Sequence, residues 1–220
     1  MGMGYGLEVT TYPGRDHVMT SPVYAEAIER LTNSIQQAES SGESEANAAA
    51  LATVDVPTQR PSVRMIYVHV DNLEPIFFVK AQSGKERQLY WNESAGLCFF
   101  WRGLGEQVVL DGRIEQLADD RADSAWCRYR SRESALVHHA SGQQTHEHAG
   151  DPSAFEQRYR QVAQQRRYGH KDIKRPSDWV GYRLLPDRIE FWHTGWQNPA
   201  MRELYFYNPD GEWQFKEQEP

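Results

Sequence analysis

The sequence predicts a mainly β fold with flanking helices, built on an antiparallel sheet that curls into a barrel. Three observations carry this. Between Ala49 and Arg113, short apolar and β-branched runs alternate with turn signals. On both sides of that stretch, apolar residues fall at helical spacing. The segment 179–220 returns to strand runs and contains a hairpin signal, Asn208-Pro209-Asp210-Gly211.

The elements follow in order. Ser21 and Pro22 open a helix in which Ala25, Ile28, Leu31 and Ile35 share one face, with Ser21 as N-cap and Pro22 at the first helical position. The polar stretch 39–47 ends it. Strand runs then occupy Ala49–Val54, Ser62–Val70, Ile76–Val79, Leu97–Trp101 and Gln107–Leu110. The segments 57–61 and 71–75, a polar loop at Ser83–Arg87 and Gly103-Leu104-Gly105 separate them. Helical patterns cover Ala118–Tyr129, Arg130–His138 and Pro152–Tyr168, with a polar loop at 138–151 and a connector at Lys171–Pro176. The C-terminal strands are Val180–Leu185, then a Pro-Asp turn, Arg188–His193, Leu204–Tyr207 and Glu212–Lys216. The organisation expected is a mobile tail (1–20), a barrel domain with an N-terminal helix and a helical insert (21–178), and a C-terminal β segment (179–220) packed on the same domain.

Composition narrows the function classes. The chain has 220 residues, enough for a proper core, and a net charge of −7 argues against general nucleic-acid binding. No apolar run approaches a membrane span, and no apolar signal core precedes Ser21, so a cytoplasmic protein is expected. Cys98 and Cys127 lack metal spacing and read as reduced, buried thiols. The spacing of His138, His139, His146 and His148 fits no standard site, so no metal is expected. Chemistry concentrates in the barrel. Arg64 lies mid-strand among apolar residues, Ser83, Lys85 and Arg87 in a polar loop, and Gln107 at a strand start. Such donors can hold a phosphate and the polar edge of a flat ring. Taken singly, Arg64 also reads as half of a buried ion pair, Lys85 as solvated, and Trp192 as core.

Several motifs stand in one order: Ala46-Asn47-Ala48 with Ala52-Thr53-Val54-Asp55; Arg60-Pro61-Ser62-Val63-Arg64-Met65; Ser83-Gly84-Lys85-Glu86-Arg87-Gln88-Leu89; Gly105-Glu106-Gln107-Val108; Asp111-Gly112-Arg113-Ile114-Glu115; and Arg188-Ile189-Glu190-Phe191-Trp192, then Trp213. In this order, from Ser21 to Pro220, the chain resembles the pyridoxamine 5′-phosphate oxidase family, the FMN-binding split barrels. The resemblance implies FMN as cofactor, held by Arg64, Met65, Ile66, Tyr67, Val68, Phe78, Val79, Ser83, Lys85, Gln107, Gln143, Gln144 and Trp192. It implies a homodimer with FMN at the subunit interface, 179–220 serving dimerisation, and a small-molecule substrate whose hydride passes to the flavin before oxygen reoxidises it. Substrate-binding positions carried over are His69, Trp126, Arg130, Ser134 and Arg202.

The departures from the family pattern fall mostly at the substrate. His69 replaces a Lys and Trp126 a Tyr, while Arg130 and Ser134 remain. The family's Arg-Leu-His-Asp-Arg motif reads 198–204 here, with Arg202 as the surviving cation. Gly84 replaces a phosphate-binding Arg, and Phe78 and Val79 replace a Tyr-Thr pair. Each lost charge-assisted contact costs roughly 1.5–3 kcal/mol, so the flavin site is better kept than the phosphate site of the substrate. The expected function is an FMN-dependent oxidase of this group acting on a small aromatic or phosphorylated substrate. The alternatives are an authentic pyridoxamine/pyridoxine 5′-phosphate oxidase of vitamin B6 metabolism, a non-catalytic flavin-binding protein, and a bare dimeric scaffold.

Overall fold

The structure, a computed structural model, describes residues 21–81, 83–141, 152–165, 173–193 and 201–218, with the backbone alone for Lys85, Arg132, Glu133, Pro152 and Gln165. The strands are β1 (Ala48–Asp55), β2 (Arg60–Asp71), β3 (Glu74–Lys80), β4 (Ser94–Trp101), β5 (Glu106–Gln116), β6 (Trp179–His193), β7 (Met201–Tyr207) and β8 (Trp213–Gln218). They form one antiparallel sheet in the order β3-β2-β1-β4-β5-β6-β7-β8. Pairing of β3 with β6 closes six of them into a barrel, and β7 and β8 extend beyond it. Alternation places Leu51, Val68, Leu97, Val108, Leu110 and Ile189 inside, all buried.

The closure is incomplete along one seam. β2 and β3 pair only from Val68/Phe77 to Asp71/Glu74. Before Val68, β2 keeps β1 as its neighbour; beyond Phe77, β3 keeps β6. The two strands therefore part, and one edge of β2 loses its ladder partner.

Helix α1 (Pro22–Ser40) begins at Ser21 with Pro22 in its first turn, as expected. The Ser21 side chain makes no cap bond; its carbonyl accepts from Ala25 N at 3.0 Å. The face Tyr24, Ile28, Leu31 is buried, and the Tyr24 ring packs tilted against Trp213 of β8, 5.2 Å between centroids. Outside the seam lie α3 (Asp119–Tyr129), α4 (Arg132–Ser141) and α5 (Pro152–Gln165). They share a second, smaller core with Trp126, Ala135, Leu136, Ile173 and Trp179.

Three expectations need correction. The polar loop at Ser83–Arg87 is the first turn of a helix, α2 (Gly84–Trp91), capped by Ser83 Oγ accepting from Glu86 N. Its apolar periodicity is too weak to announce it, and the cap is what makes the helix start there. The Pro186-Asp187 turn does not exist: β6 runs through it, bent where its register on β5 shifts between Asp111 and Gly112. A bulge absorbs the proline, whose missing N–H would otherwise break a ladder. Cys127 is exposed and Cys98 half-buried, so neither is the core thiol expected. The tail 1–20 lies outside the described residues.

Candidate functional site

The split seam opens a cleft of about 580 Å³. Met65, Ile66 and Tyr67 of β2 line one side, and Phe78, Val79 and Lys80 of β3 another. The helical unit closes it with Tyr129, Arg130, Ser131, Ser134 and His138, while Ser44, Glu45 and Asn47 form the rim.

Its wall is aromatic. His69 stacks on Tyr129 with ring centroids 3.9 Å apart and 13° between planes. Phe78 stacks on Trp179 at 3.9 Å and 8°. Burial pushes the His69 imidazole down to about 4, so the ring is neutral at physiological pH. The polar groups cluster at one end. Arg130 holds its guanidinium 5.6 Å over the Trp126 ring and 5.8 Å over Trp179. His138 Nε2 lies 3.0 Å from Asp178 Oδ1, and Lys80 Nζ 3.9 Å from Asp178 Oδ2. Burial lowers the proton affinity of His138, and Asp178 partly restores it.

The residues singled out from the sequence divide into groups. Met65, Ile66, Tyr67, Phe78, Val79, His69, Arg130 and Ser134 meet in this cleft. Arg64 sits just beyond it on β2. Its fork reaches Gln88 Oε1 of α2 at 2.9 Å, and the Thr53 hydroxyl and Leu51 carbonyl of β1. The guanidinium is thus tied to α2 through Gln88, beyond the middle of that helix, whose N-terminus is Ser83–Lys85. Val68 is wholly buried, so its side chain belongs to the barrel core and not to the cleft. Trp126 does not line the cleft: it is 1% exposed and its indole N–H donates to Ile173 O at 2.7 Å. It supports Arg130 from behind.

Gln107, Trp192 and Arg202 lie away from the cleft. Gln107 pairs with Trp192, and Trp192 with Arg202, making one row across β5, β6 and β7. Phe100 extends that row on β4. This register fixes Arg202 beside Trp192, with Arg202 Nε 3.4 Å from Glu190 Oε1. Gln143 and Gln144 lie outside the described residues. Sequence reasoning missed Tyr129, Ser131, Lys80 and His138. Only His138 left a signal, four residues after Ser134 on one helix face. Among the described residues no group of His, Cys, Asp and Glu is arranged to hold a metal, and no helix is long and apolar enough to cross a membrane.

The donor set fits FMN in three respects. The β2 edge beside Met65–Tyr67 lacks a ladder partner, as the polar edge of a flat ring requires. Arg64 is bonded to Gln88 of α2, a helix whose N-terminus is of the kind that suits a phosphate. At Gly84 an added Cβ would meet nothing within 4 Å, so the approach to that N-terminus is open.

Comparisons with known proteins agree with this geometry. The family model described as pyridoxamine 5′-phosphate oxidase matches residues 35–166. A pyridoxine/pyridoxamine 5′-phosphate oxidase of Anaeromyxobacter dehalogenans is 38% identical over 185 residues, 84% of this chain and 90% of the relative. One from Myxococcus xanthus is 33% identical over 188 residues, 84% of this chain and 87% of the relative. Among solved structures, PhzG from Burkholderia lata, in complex with tetrahydrophenazine-1-carboxylic acid, superposes with a TM-score of 0.77 at 25% identity, covering 96% of this chain and 100% of that one. A pyridoxamine 5′-phosphate oxidase-related, FMN-binding protein from Nostoc punctiforme superposes at 0.68 with 18% identity, covering 92% and 100%, a likeness of fold alone. With motifs in order, a split barrel and a family match over more than half its length, this chain belongs to the pyridoxamine 5′-phosphate oxidase family.

Proposed function

We propose that the protein is an FMN-dependent oxidoreductase that oxidises a small aromatic or phosphorylated substrate in the seam between β2 and β3. The observation that carries this is the seam itself. It brings the unpaired edge of β2, an aromatic wall and a cationic end into one cleft. Bound there, FMN would supply a hydride acceptor that oxygen can reoxidise. The chain's own residues do the rest. Arg64 and the first turn of α2 hold the phosphate, and the β2 backbone at 65–68 pairs the ring edge. The stacked Tyr129–His69 pair lines the cleft for a flat substrate on one side, and Arg130 with Ser134 binds its anionic group. The helices α3–α5 exclude water from that end.

We also propose that the working unit is a homodimer. Val63, Met65, Tyr67 and Phe100 are 56–67% exposed on the outer barrel face. Small residues (Ala48, Ala50, Ala52 and Gly96) lie among them, leaving a flat apolar surface. Met65 and Tyr67 belong to both this face and the cleft, and Gln107 and Trp192 share the Phe100 row. A second copy seated on the face would carry its Gln107, Trp192 and Arg202 toward the cleft of the first.

A second reading, pyridoxine or pyridoxamine 5′-phosphate oxidase activity proper, is favoured by the 38% identity to the Anaeromyxobacter enzyme. The retained Arg130 and Ser134 support it; His69, neutral in the cleft, weighs against a phosphate dianion. The bound ligand of the PhzG relative, a flat carboxylic acid, supports the first reading. The test is an absorption spectrum of the purified chain after incubation with FMN and removal of excess, followed by turnover of pyridoxine 5′-phosphate and of flat carboxylic acids. Flavin bands that stay with the protein are expected. Their absence overturns the flavin reading, and rapid oxidation of pyridoxine 5′-phosphate selects the second substrate class.

A further inference from the structure

Helix α4 places Ser134 and His138 one turn apart on the face that lines the cleft. The His138 side chain is only 9% exposed and is bonded through Nε2 to Asp178. Asp178 precedes β6 and also faces Lys80. Arg130, at the junction of α3 and α4, lines the same wall. One carboxylate therefore stands among an arginine, a lysine and an imidazole able to become cationic. Among the described residues around α4, two further charged or titratable groups have partners of their own. His139 meets Lys174 O at 3.1 Å, and Arg158 of α5 donates to Ala140 O at 2.9 Å. His69, Tyr129 and Glu45 line the same cleft.

From this arrangement we propose that His138, held by Asp178, is a specificity-determining residue that takes up one proton when an anionic ligand group docks between Arg130 and Ser134. The inference rests on the reading of the cleft as a substrate site. The balance is simple: one proton leaves solvent, and one imidazole becomes imidazolium. In the empty cleft, burial and the charges of Arg130 and Lys80 oppose that proton, and Asp178 favours it. A docked anion offsets the two cations, so the opposition weakens and Asp178 prevails. With Nε2–H donating to Asp178, Nδ1 is the atom that accepts the proton and then donates to the ligand. His69 is poorly suited to this role, because its proton affinity is set by burial with no carboxylate to offset it. The consequence is selection: neutral flat molecules gain nothing from acidification, and anionic ones do.

The test uses the full chain and naphthalene-2-sulfonate, a flat monoanion whose charge is fixed across the working range. Calorimetry in two buffers of different ionisation enthalpy near pH 7 reads the protons taken up on binding. The expected results are net proton uptake and an affinity that strengthens as pH falls, by at most about tenfold per pH unit for a single coupled proton. His138→Gln is expected to lose both the uptake and the pH dependence. Asp178→Asn is expected to move the rise in affinity to lower pH. In the unsubstituted chain, NMR titration of the His138 ring should show its titration midpoint rise when the probe is present, a readout that needs no variant. The proposal is overturned if the probe does not bind, if it binds without proton uptake, or if His138→Gln keeps the pH dependence. Flavin retention is read separately from the visible spectrum. A flavin-binding chain that takes up no proton sinks this inference alone.

Discussion

At the scale of single residues, Arg130 and His69 show how burial sets chemistry. Arg130 spreads its guanidinium over two indoles and meets the cleft with a fixed fork. Arg130→Gln removes one charge-assisted contact, worth about 1.5–3 kcal/mol, or roughly ten- to hundredfold in substrate affinity. Steady-state kinetics should show KM rising by that factor with flavin retention unchanged. If flavin is lost instead, Arg130 belongs to the cofactor. His69 makes a stability prediction. Its pKa falls from an unfolded value near 6.5 to about 4 in the fold. Between those values the unfolded chain holds a proton that the folded chain refuses, so stability rises with pH there and is lost on acidification. Replacing His69 by Phe, which can still stack on Tyr129, should flatten the fall in denaturant midpoint between about pH 6.5 and 4.5. Equal slopes in both proteins would mean another group governs that window.

At the scale of elements, the bend in β6 is the feature on which barrel closure depends. Its first half pairs β3 and its second half β7, so one strand serves both the barrel and the extension. The bend is possible because Gly112 of β5 lies under it. A Cβ there would meet Leu185 O at 2.2 Å and Pro186 Cα at 2.6 Å, both rigid backbone. Gly112→Ala should therefore reach or exceed the ~3 kcal/mol upper end of overpacking costs, measured by urea unfolding. A cost near zero would show that the two strands can separate freely. The β2–β3 hairpin is held differently. Glu74, buried, accepts from both Arg121 of α3 and Arg183 of β6, and Arg183 also reaches Glu115 at 2.8 Å. Glu74→Ala removes the shared carboxylate of two guanidinium groups, which keep Asp71 and Glu115 as partners, and should cost about 1.5–3 kcal/mol. The same network ties the helical wall of the cleft to the barrel, so cleft affinity should weaken with stability.

At the scale of the whole molecule, the proposed dimer makes the outer barrel face the surface to test. Val63, Met65, Tyr67 and Phe100 expose apolar area that a lone chain would leave in water. Phe100→Asp places a charge in the middle of that face without touching the interior. Light scattering should then report a monomer, and flavin retention should fall with it, because Gln107 and Trp192 would no longer reach a second cleft. A monomer that keeps its flavin would show that one chain suffices. Half-buried Cys98 lies on the same face, paired with Ala50 and Val109, so its rate of reaction with a thiol reagent should rise as the dimer dissociates.

By itself the sequence determined the strands (except the unbroken course of β6), the first helix and the family. Strand alternation and capping are local properties, readable wherever side chains repeat at two or near four residues. The ordered motifs around Arg64, Lys85, Gln107 and Trp192 carried the resemblance to the family. Tertiary structure decided the rest, because it depends on which distant segments meet. The helix at Gly84–Trp91 has too weak an apolar period to be read, and Pro186 reads as a turn until Gly112 makes room beneath it. Trp126 matches a substrate position in the chain but is taken up by the helical core, where its N–H finds Ile173 O. Tyr129 turns to the cleft instead, stacked on a histidine sixty residues earlier. His138 acquires Asp178, forty residues away, only when α4 is laid against the start of β6. Periodicity reports which face of an element is apolar; it carries no record of the partner that face or its polar neighbours will find.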